Sequence, residues 1–366
     1  MSVADESLVA HQKVRELALA RWAAPRVRGG LSHTMGVFHR ESIDPSTRGP
    51  HAVDGDTQQV PIVAKTPRAG ARSVRGRTMG TEPGAHRSAA ITGGGSGLGR
   101  SVALKLGDKG YRVFGTAHAT AEVNELRDVS RGRVLLSLID VTDVQAVRTW
   151  AKHVGDKIGF AGLSVLLSNA GILTSGPLEM LPLRAVRREF DFNMFGSIGV
   201  INAFLPALRA ARGRIVQVGA MTGRFHLAFN GPSSASKAAL EAVAYVYRSS
   251  LRPFGVELVL AQDGNMRTGG PAKTAAAMKR IADSFSDAQR RLYGAGFGKL
   301  TEPLNEAQRE GLSADAAADR IVELVEAQPA PTRKPVGPDA EKIRRLVAEN
   351  SDVELEELQW YYVSLN

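Results

Sequence analysis

From Ser88 onward, short apolar runs alternate with longer amphipathic ones. SAAIT leads into SGLGRSVALKLGDKG, YRVFGT into a polar helical run around AEVNELRDV, and VLLSLID into VQAVRTWAKHVGD. LSVLLSNAG then precedes two helical segments spanning Leu183 to Ala211, GRIVQVGA precedes NGPSSASKAAL, and VELVLAQDG follows. Runs of Val, Leu and Ile without polar alternation are strands buried on both faces. Their regular alternation with helices predicts right-handed βαβ units, hence an α/β fold with a doubly wound parallel sheet.

Two stretches depart from this rhythm. Pro271 to Glu310 is predicted to be a helical insertion over one end of the sheet, with Met278, Phe285, Leu292, Tyr293, Phe297 and Leu300 interspersed. It suits equally a lid over a hydrophobic substrate and a piece of core packing. A helix over Ser313 to Ala327, an extended piece near Lys334 to Gly337 and helices over 338–366 complete the chain. Residues 1–86 contain one helical segment, Leu8 to Ala23, and then a Gly/Pro/Arg/Ser/Thr-rich stretch with no sustained period. Such a stretch buries too little apolar surface to offset its chain entropy, so it is expected to be a mostly disordered basic extension. A start at Met79 is the alternative. The expected organisation is this extension, a single domain over 87–337 carrying the 270–310 insertion, and the C-terminal helices.

Composition narrows the chemistry. With 366 residues, 43% hydrophobic, the chain can bury a large core. No run approaches the roughly 18 apolar residues of a membrane span, and no basic-then-apolar leader opens the sequence, so a cytoplasmic address without a membrane partner is expected. Cysteine is absent, which excludes disulfides, thiolate metal sites and cysteine nucleophiles. The 8 histidines show no metal-ligand spacing, and no metal is expected. A net charge of +10 raises nucleic acid as a partner. The arginines, however, are scattered without aromatic interleaving, and no nucleic-acid binding is expected.

TGGGSGLG, Thr92 to Gly99, lies between the first strand and the first helix. Glycines there let the backbone approach a pyrophosphate, and the helix N-terminus supplies free N–H groups and positive dipole. In this strand–loop–helix context a dinucleotide site is a better reading than a merely structural turn.

The T-G-x-x-x-G-x-G spacing, followed in order by Asp140-Val141, the Asn169-Ala170-Gly171 triplet, Asn193 in FDFNMFG and Lys237 in SASK, resembles the short-chain dehydrogenase/reductase family over roughly Ser88 to Gly337. The resemblance implies a Rossmann-type fold, an NAD(P)(H) cofactor, a small-molecule substrate and a homo-oligomer. It places Thr92, Gly93, Gly95, Ser96, Gly97, Leu98 and Gly99 at the pyrophosphate, Asp140 and Val141 beside the adenine, and Asn169 to Gly171 beside the ribose and pyrophosphate. Lys237 would hold the nicotinamide ribose, and Asn193 would position a helix and a water for proton relay. Backbone near Met266 and the Thr268 hydroxyl would meet the carboxamide, and Gly264 belongs to the same cofactor-binding set. The tip of the second strand holds Ala117 and His118 and no carboxylate, which favours NADP(H) over NAD(H).

The same resemblance exposes two departures. The family's tyrosine stands four residues before the lysine and its serine thirteen before that tyrosine; here those positions are Ser233 and Ala220. A serine oxygen ends roughly 4 Å short of a tyrosine oxygen. Ser233 is therefore expected to cap the helix, with a catalytic or water-holding role, alone or with Lys237, as the alternative. Asp263 is either a turn-capping aspartate or a new carboxylate at the active end of the sheet. His226 is either a surface or substrate-wall residue or a replacement acid. Three functions follow as expectations: an oxidoreductase acting on an apolar carbonyl or alcohol, a non-redox cyclase, isomerase or dehydratase on the same scaffold, or a cofactor-binding pseudoenzyme.

Overall fold

A computed structural model of the chain describes residues 87–268 and 270–363. The expectations for residues 1–86, including the Leu8 to Ala23 helix and the start at Met79, lie outside these described residues.

The predicted alternation folds into β1 (Ser88–Ile91), α1 (Gly97–Asp108), β2 (Arg112–Ala117), α2 (Thr120–Val129), β3 (Val134–Leu138), α3 (Val144–Ile158) and β4 (Val165–Ser168). A second half continues with α4 (Leu183–Phe190), α5 (Ser197–Ala211), β5 (Arg214–Ala220), α6 (Gly231–Leu251) and β6 (Glu257–Asp263). The seven-stranded sheet is parallel throughout, in the order β3-β2-β1-β4-β5-β6-β9, where β9 is Arg333–Val336. The order reverses between β1 and β4, and in such sheets ligands bind outside the strand ends at that crevice.

Both faces of the sheet are buried, which is why its strands lack polar alternation. Successive residues of one strand enter opposite layers. Ala89 and Ile91 pack with Val102 and Leu106 of α1 and Ile321 and Val325 of α9 (Ala314–Glu326). Ala90 and Leu166 pack with Trp150, Val154, Val200 and Phe204 of α3 and α5, where the Trp150 and Phe204 rings meet edge to face at 4.8 Å. Arg214, 2% exposed, ties α9 down: it pairs with Glu257 and donates to the terminal carbonyls of Leu324 and Val325 at 2.8 Å each. A buried arginine is tolerated because it is paired and caps a helix C-terminus.

The two helical segments expected between Leu183 and Ala211 form one continuous helix. Its middle, Asp191–Gly196, is π-helical, a local widening common at functional sites. At 29 residues it is, among the described residues, the helix long and apolar enough to cross a membrane, yet Val200, Ile201, Phe204 and Leu208 lie in the core.

After β6 come β7 (Met266–Arg267), α7 (Gly270–Asp283), a helical turn over 287–294, α8 (Ala295–Glu310) and β8 (Leu312–Ser313), which pairs with β7. Met278, Phe285, Phe297 and Leu300 are buried in a small core of their own, packed with Phe229 and Tyr293, while Leu292 is exposed. The core-packing expectation therefore holds for most of its apolar side chains, and Leu292 and Tyr293 also line an outer cavity. Helices α10 (Pro338–Glu349) and α11 (Asp352–Val363) follow β9.

Candidate active site

The loop after β1 is laced to both neighbouring strands. The Thr92 hydroxyl accepts the N–H groups of Asn169 and Ala170 at 2.9 and 3.0 Å, and Asn169 Nδ2 returns a bond to the Thr92 carbonyl. Gly93 N–H donates to the Thr116 hydroxyl on β2. Gly93 and Gly97 have φ of +66° and +52°, the left-handed region that favours glycine. A Cβ at Gly99 would overlap the Gly93 carbonyl oxygen, so the start of α1 packs on its own loop only because both are bare. Ser96 flanks the helix without a side-chain cap, which leaves the first-turn N–H groups to an outside anion.

That turn opens into a cleft of about 260 Å³. Gly97, Leu98 and Asn169 form one wall, and Asp263, Gly264, Met266 and Thr268 the other. Residues separated by some 170 positions in the chain thus converge at the switch point of the sheet, and the exposed helix N-terminus with its glycine backbone fits a dinucleotide pyrophosphate.

Asp140, which the resemblance assigns to the adenosine end, holds the Thr142 N–H and hydroxyl at 2.9 and 2.8 Å; those bonds keep its carboxyl below the usual range. Val141 is buried beside Gly196. His118 is exposed, with its ring 6.3 Å from Phe192. The tip of β2 is not free of carboxylate, as its sequence alone suggests. Glu122 reaches back from the first turn of α2 to accept the His118 and Ala119 N–H groups at 3.0 and 3.3 Å, and its carboxylate occupies the space a side chain at Gly95 would fill.

Asn193, which the resemblance assigns to the nicotinamide end, sits in the π-helical turn. Its Oδ1 accepts from Ile172 N–H at 2.8 Å, and its Nδ2 faces the Ile172 carbonyl and Ser236 hydroxyl at 3.0 Å and Glu189 Oε1 at 3.3 Å. Lys237 Nζ lies 3.5 Å from the Val218 carbonyl. An atom added at Gly171 would be 3.4 Å from both Asn193 Oδ1 and Lys237 Nζ, so the two polar groups flank the same glycine. Ser233 is not the helix cap. The helix begins at Gly231, with Asn230 before it and Pro232 in its first turn, and this places Ser233 inside the helix, 6% exposed and facing inward.

Glu189 completes this cluster and had no part in the motif reading. It is fully buried, one turn before Asn193 on the same helix. Burial pushes its carboxyl up to about 7, against the opposing effects of Thr174, the Lys237 ammonium and the Ser233 hydroxyl. Neither hydroxyl closes a well-formed bond on Oε2, which is left without a partner. The available sequence signal was an acidic residue at i−4 from Asn193, on the face that must turn inward with it.

Asp263 ends β6 and lines the cleft, so it belongs to the site rather than to a solvated turn. Burial raises its carboxyl to about 7, Lys237 opposes, and Asp339 adds to the rise. Asp339 enters from α10, where it accepts the Asn265 N–H and fills the space beside Gly264. His226 is not brought to this cluster. It is exposed, its Nδ1 is 3.1 Å from the Thr222 carbonyl, and it lines an outer apolar cavity of about 690 Å³ with Leu227, Phe229, Leu292, Tyr293 and Val353. Among the described residues no group of three His, Asp or Glu is placed to hold a metal.

The family model for short chain dehydrogenase matches residues 87–279. The NADPH-dependent 3-dehydrocapnine reductase of Ornithobacterium rhinotracheale is 29% identical over 259 residues, which cover 69% of this chain and 88% of that protein. Human retinol dehydrogenase 5 is 34% identical over 225 residues, 60% of this chain and 69% of that one. A short chain dehydrogenase from Burkholderia cenocepacia, solved in complex with NADP, shares the fold with a TM-score of 0.57 at 22% identity, covering 75% of this chain and 97% of that chain.

Proposed function

This chain belongs to the short chain dehydrogenase family, and we propose that it is an NAD(P)(H)-dependent oxidoreductase moving a hydride between cofactor and an apolar carbonyl or alcohol. The observation that carries this reading is the convergence of the glycine loop, Asn169 and the Met266 to Thr268 segment on one cleft, with Lys237 beside it facing Asn193 and Asp263. Bound there, the cofactor supplies the hydride; the chain's own residues hold it and handle the proton. The outer cavity walled by Leu227, Phe229, Leu292 and Tyr293 supports a substrate with an apolar body. The relatives named for 3-dehydrocapnine and retinol support a carbonyl or alcohol as the reacting group.

The cofactor preference follows from Glu122. A carboxylate against Gly95 accepts a ribose 2′-hydroxyl and repels a 2′-phosphate. The reading is therefore NAD(H) ahead of NADP(H), the reverse of what the bare strand tip suggests; the relative named as NADPH-dependent supports the other preference. Cytoplasmic location is part of the reading. Assembly with further copies is too, with exposed Tyr245 and Val246 on α6 and Phe195 as apolar surface for it.

Ala220 and Ser233, where the family's serine and tyrosine belong, favour a second reading: a non-redox enzyme or a pseudoenzyme that keeps its cofactor. Fluorescence titration with NADH and NADPH, followed by turnover with all-trans-retinal and long-chain ketones, separates the two. Steady oxidation of reduced cofactor is expected; tight binding without oxidation gives the second reading the lead.

A further inference from the structure

Reducing a carbonyl requires a proton for its oxygen as well as a hydride for its carbon, and the helix position four residues before Lys237 offers a serine. The space a larger side chain would fill there is backed by Glu189. This carboxyl is 0% exposed, yet it sits on a helix face where an apolar side chain would pack at no desolvation cost. One oxygen accepts from Asn193 at 3.3 Å; the other, Oε2, has no partner. The groups facing it are the Lys237 ammonium and the Ser233 hydroxyl from α6, Thr174 from the loop after β4, and Asn193 from its own helix. Lys237 is the one charge among them. A buried acid with a free oxygen, turned toward a hydroxyl and an ammonium at the reacting end of a cofactor cleft, is a proton store.

We propose that Glu189 holds the proton for this site and that Ser233 passes it to the substrate oxygen. The proposal rests on the redox reading and assigns the proton path within it. As the carbonyl carbon receives its hydrogen and both electrons from the reduced nicotinamide, the carbonyl π bond breaks and its oxygen takes the Ser233 Oγ proton. Ser233 Oγ takes the proton of Glu189 Oε2 in the same movement. Glu189 is left as a carboxylate stabilised by Lys237 and Asn193, and a proton from solvent restores it. Alcohol oxidation runs the same path backward. Substrate must enter deeper than it would over a tyrosine, which the small side chains of Ala220 and Ser233 permit. Glu189 thus acts through Ser233 and is a positioning and proton-holding group.

The test uses the purified full chain with ¹³C-labelled glutamate. Infrared difference titration of the wild type should show a protonated carboxyl band that disappears near pH 7 and is missing in Glu189→Gln. Rates are then followed with NADH or NADPH and all-trans-retinal or 9,10-phenanthrenequinone as probes. Glu189→Gln and Ser233→Ala should each lower kcat on the order of 100-fold with KM little changed. The fall of kcat above about pH 7 should be present in the wild type and in Asp263→Asn and absent from Glu189→Gln. Glu189→Asp, which keeps the acid one carbon short, should fold, retain the pH break and run slower than wild type. Four results overturn the proposal while leaving the redox reading intact: a Glu189→Gln variant as fast as wild type, no titrating band near pH 7, a Ser233→Ala variant at full rate, or a pH break that vanishes with Asp263 instead. A wild type that binds cofactor but reduces neither probe overturns both.

Discussion

The carboxylate of Glu122 lies where a side chain at Gly95 would stand, held there by the His118 and Ala119 N–H groups it accepts. A residue in the first turn of one helix therefore sets the charge of a loop 27 positions earlier in the chain. In the proposed reading this negative charge faces the ribose 2′ position, where NAD(H) and NADP(H) differ. Unit charges about 4 Å apart in water interact by about 1 kcal/mol. Glu122→Gln should therefore raise the NADPH-to-NADH affinity ratio by roughly fivefold. Fluorescence titration at fixed ionic strength measures it, and an unchanged ratio removes Glu122 from cofactor choice.

Gly97 combines positive φ with room for a Cβ in ordinary contact with Thr268. An alanine there meets the Thr268 side chain only at an ordinary van der Waals distance of 3.7 Å, but costs about 1–2 kcal/mol for the left-handed backbone and would intrude on a pyrophosphate bound at this turn. Gly97→Ala should fold with a modestly lower melting temperature and lose at least tenfold in affinity for both dinucleotides. Unchanged binding would show that the cofactor does not use this turn.

Two carboxyls, Glu189 and Asp263, are raised by burial to about 7. A raised acid binds its proton more tightly in the folded state than in the unfolded one. Its contribution is complete below the unfolded value and is lost as pH climbs through the folded one. Stability should fall between about pH 4.5 and 7, with Glu189 responsible for up to about 3 kcal/mol. Urea denaturation across that range should give a flatter profile for Glu189→Gln and for Asp263→Asn. A wild-type profile that rises with pH would contradict the burial of both groups.

Beneath the site floor, Glu241 of α6 is 4% exposed and pairs with Arg333 of β9 at 2.6 Å and with Arg224 at 2.9 Å. Removing the acid leaves Arg333, 16% exposed, without its charge partner. Glu241→Ala should cost about 3–5 kcal/mol, read as a shift in the urea midpoint at constant slope. A loss under 1 kcal/mol would mean that solvent reaches Arg333.

Restoring the family's side chains tests how much of the ordinary site survives. Ala220→Ser with Ser233→Tyr supplies an orienting hydroxyl and a proton donor with its own reach past Glu189. The pair should raise ketone reduction more than either single change, because groups that act together are non-additive. Its rate should also lose the pH break near 7. A double variant that binds NADH and is slower than wild type would show that the native relay is better adapted to this pocket.

The sheet was legible in the chain because strands buried on both faces and helices buried on one leave different periods, and neither period depends on distant contacts. The glycine loop stood out because a strand, a glycine-rich turn and a helix lie in short succession, and the Asn169 to Gly171 turn, Asn193 and Lys237 entered through the family resemblance, whose motifs follow in order along the chain. What spacing could not convey was direction and company. Ser233 reads as a cap in isolation, and the helix starting at Gly231 turns it inward. Asp263 reads as a turn residue until Asp339, 76 positions later, is folded against its neighbour Gly264. Glu122 and Glu189 look like ordinary acidic positions on helices. Only packing decides that one lies against the glycine loop and the other loses its water beside Lys237, because desolvation and charge proximity belong to the three-dimensional neighbourhood and leave no mark on the local sequence.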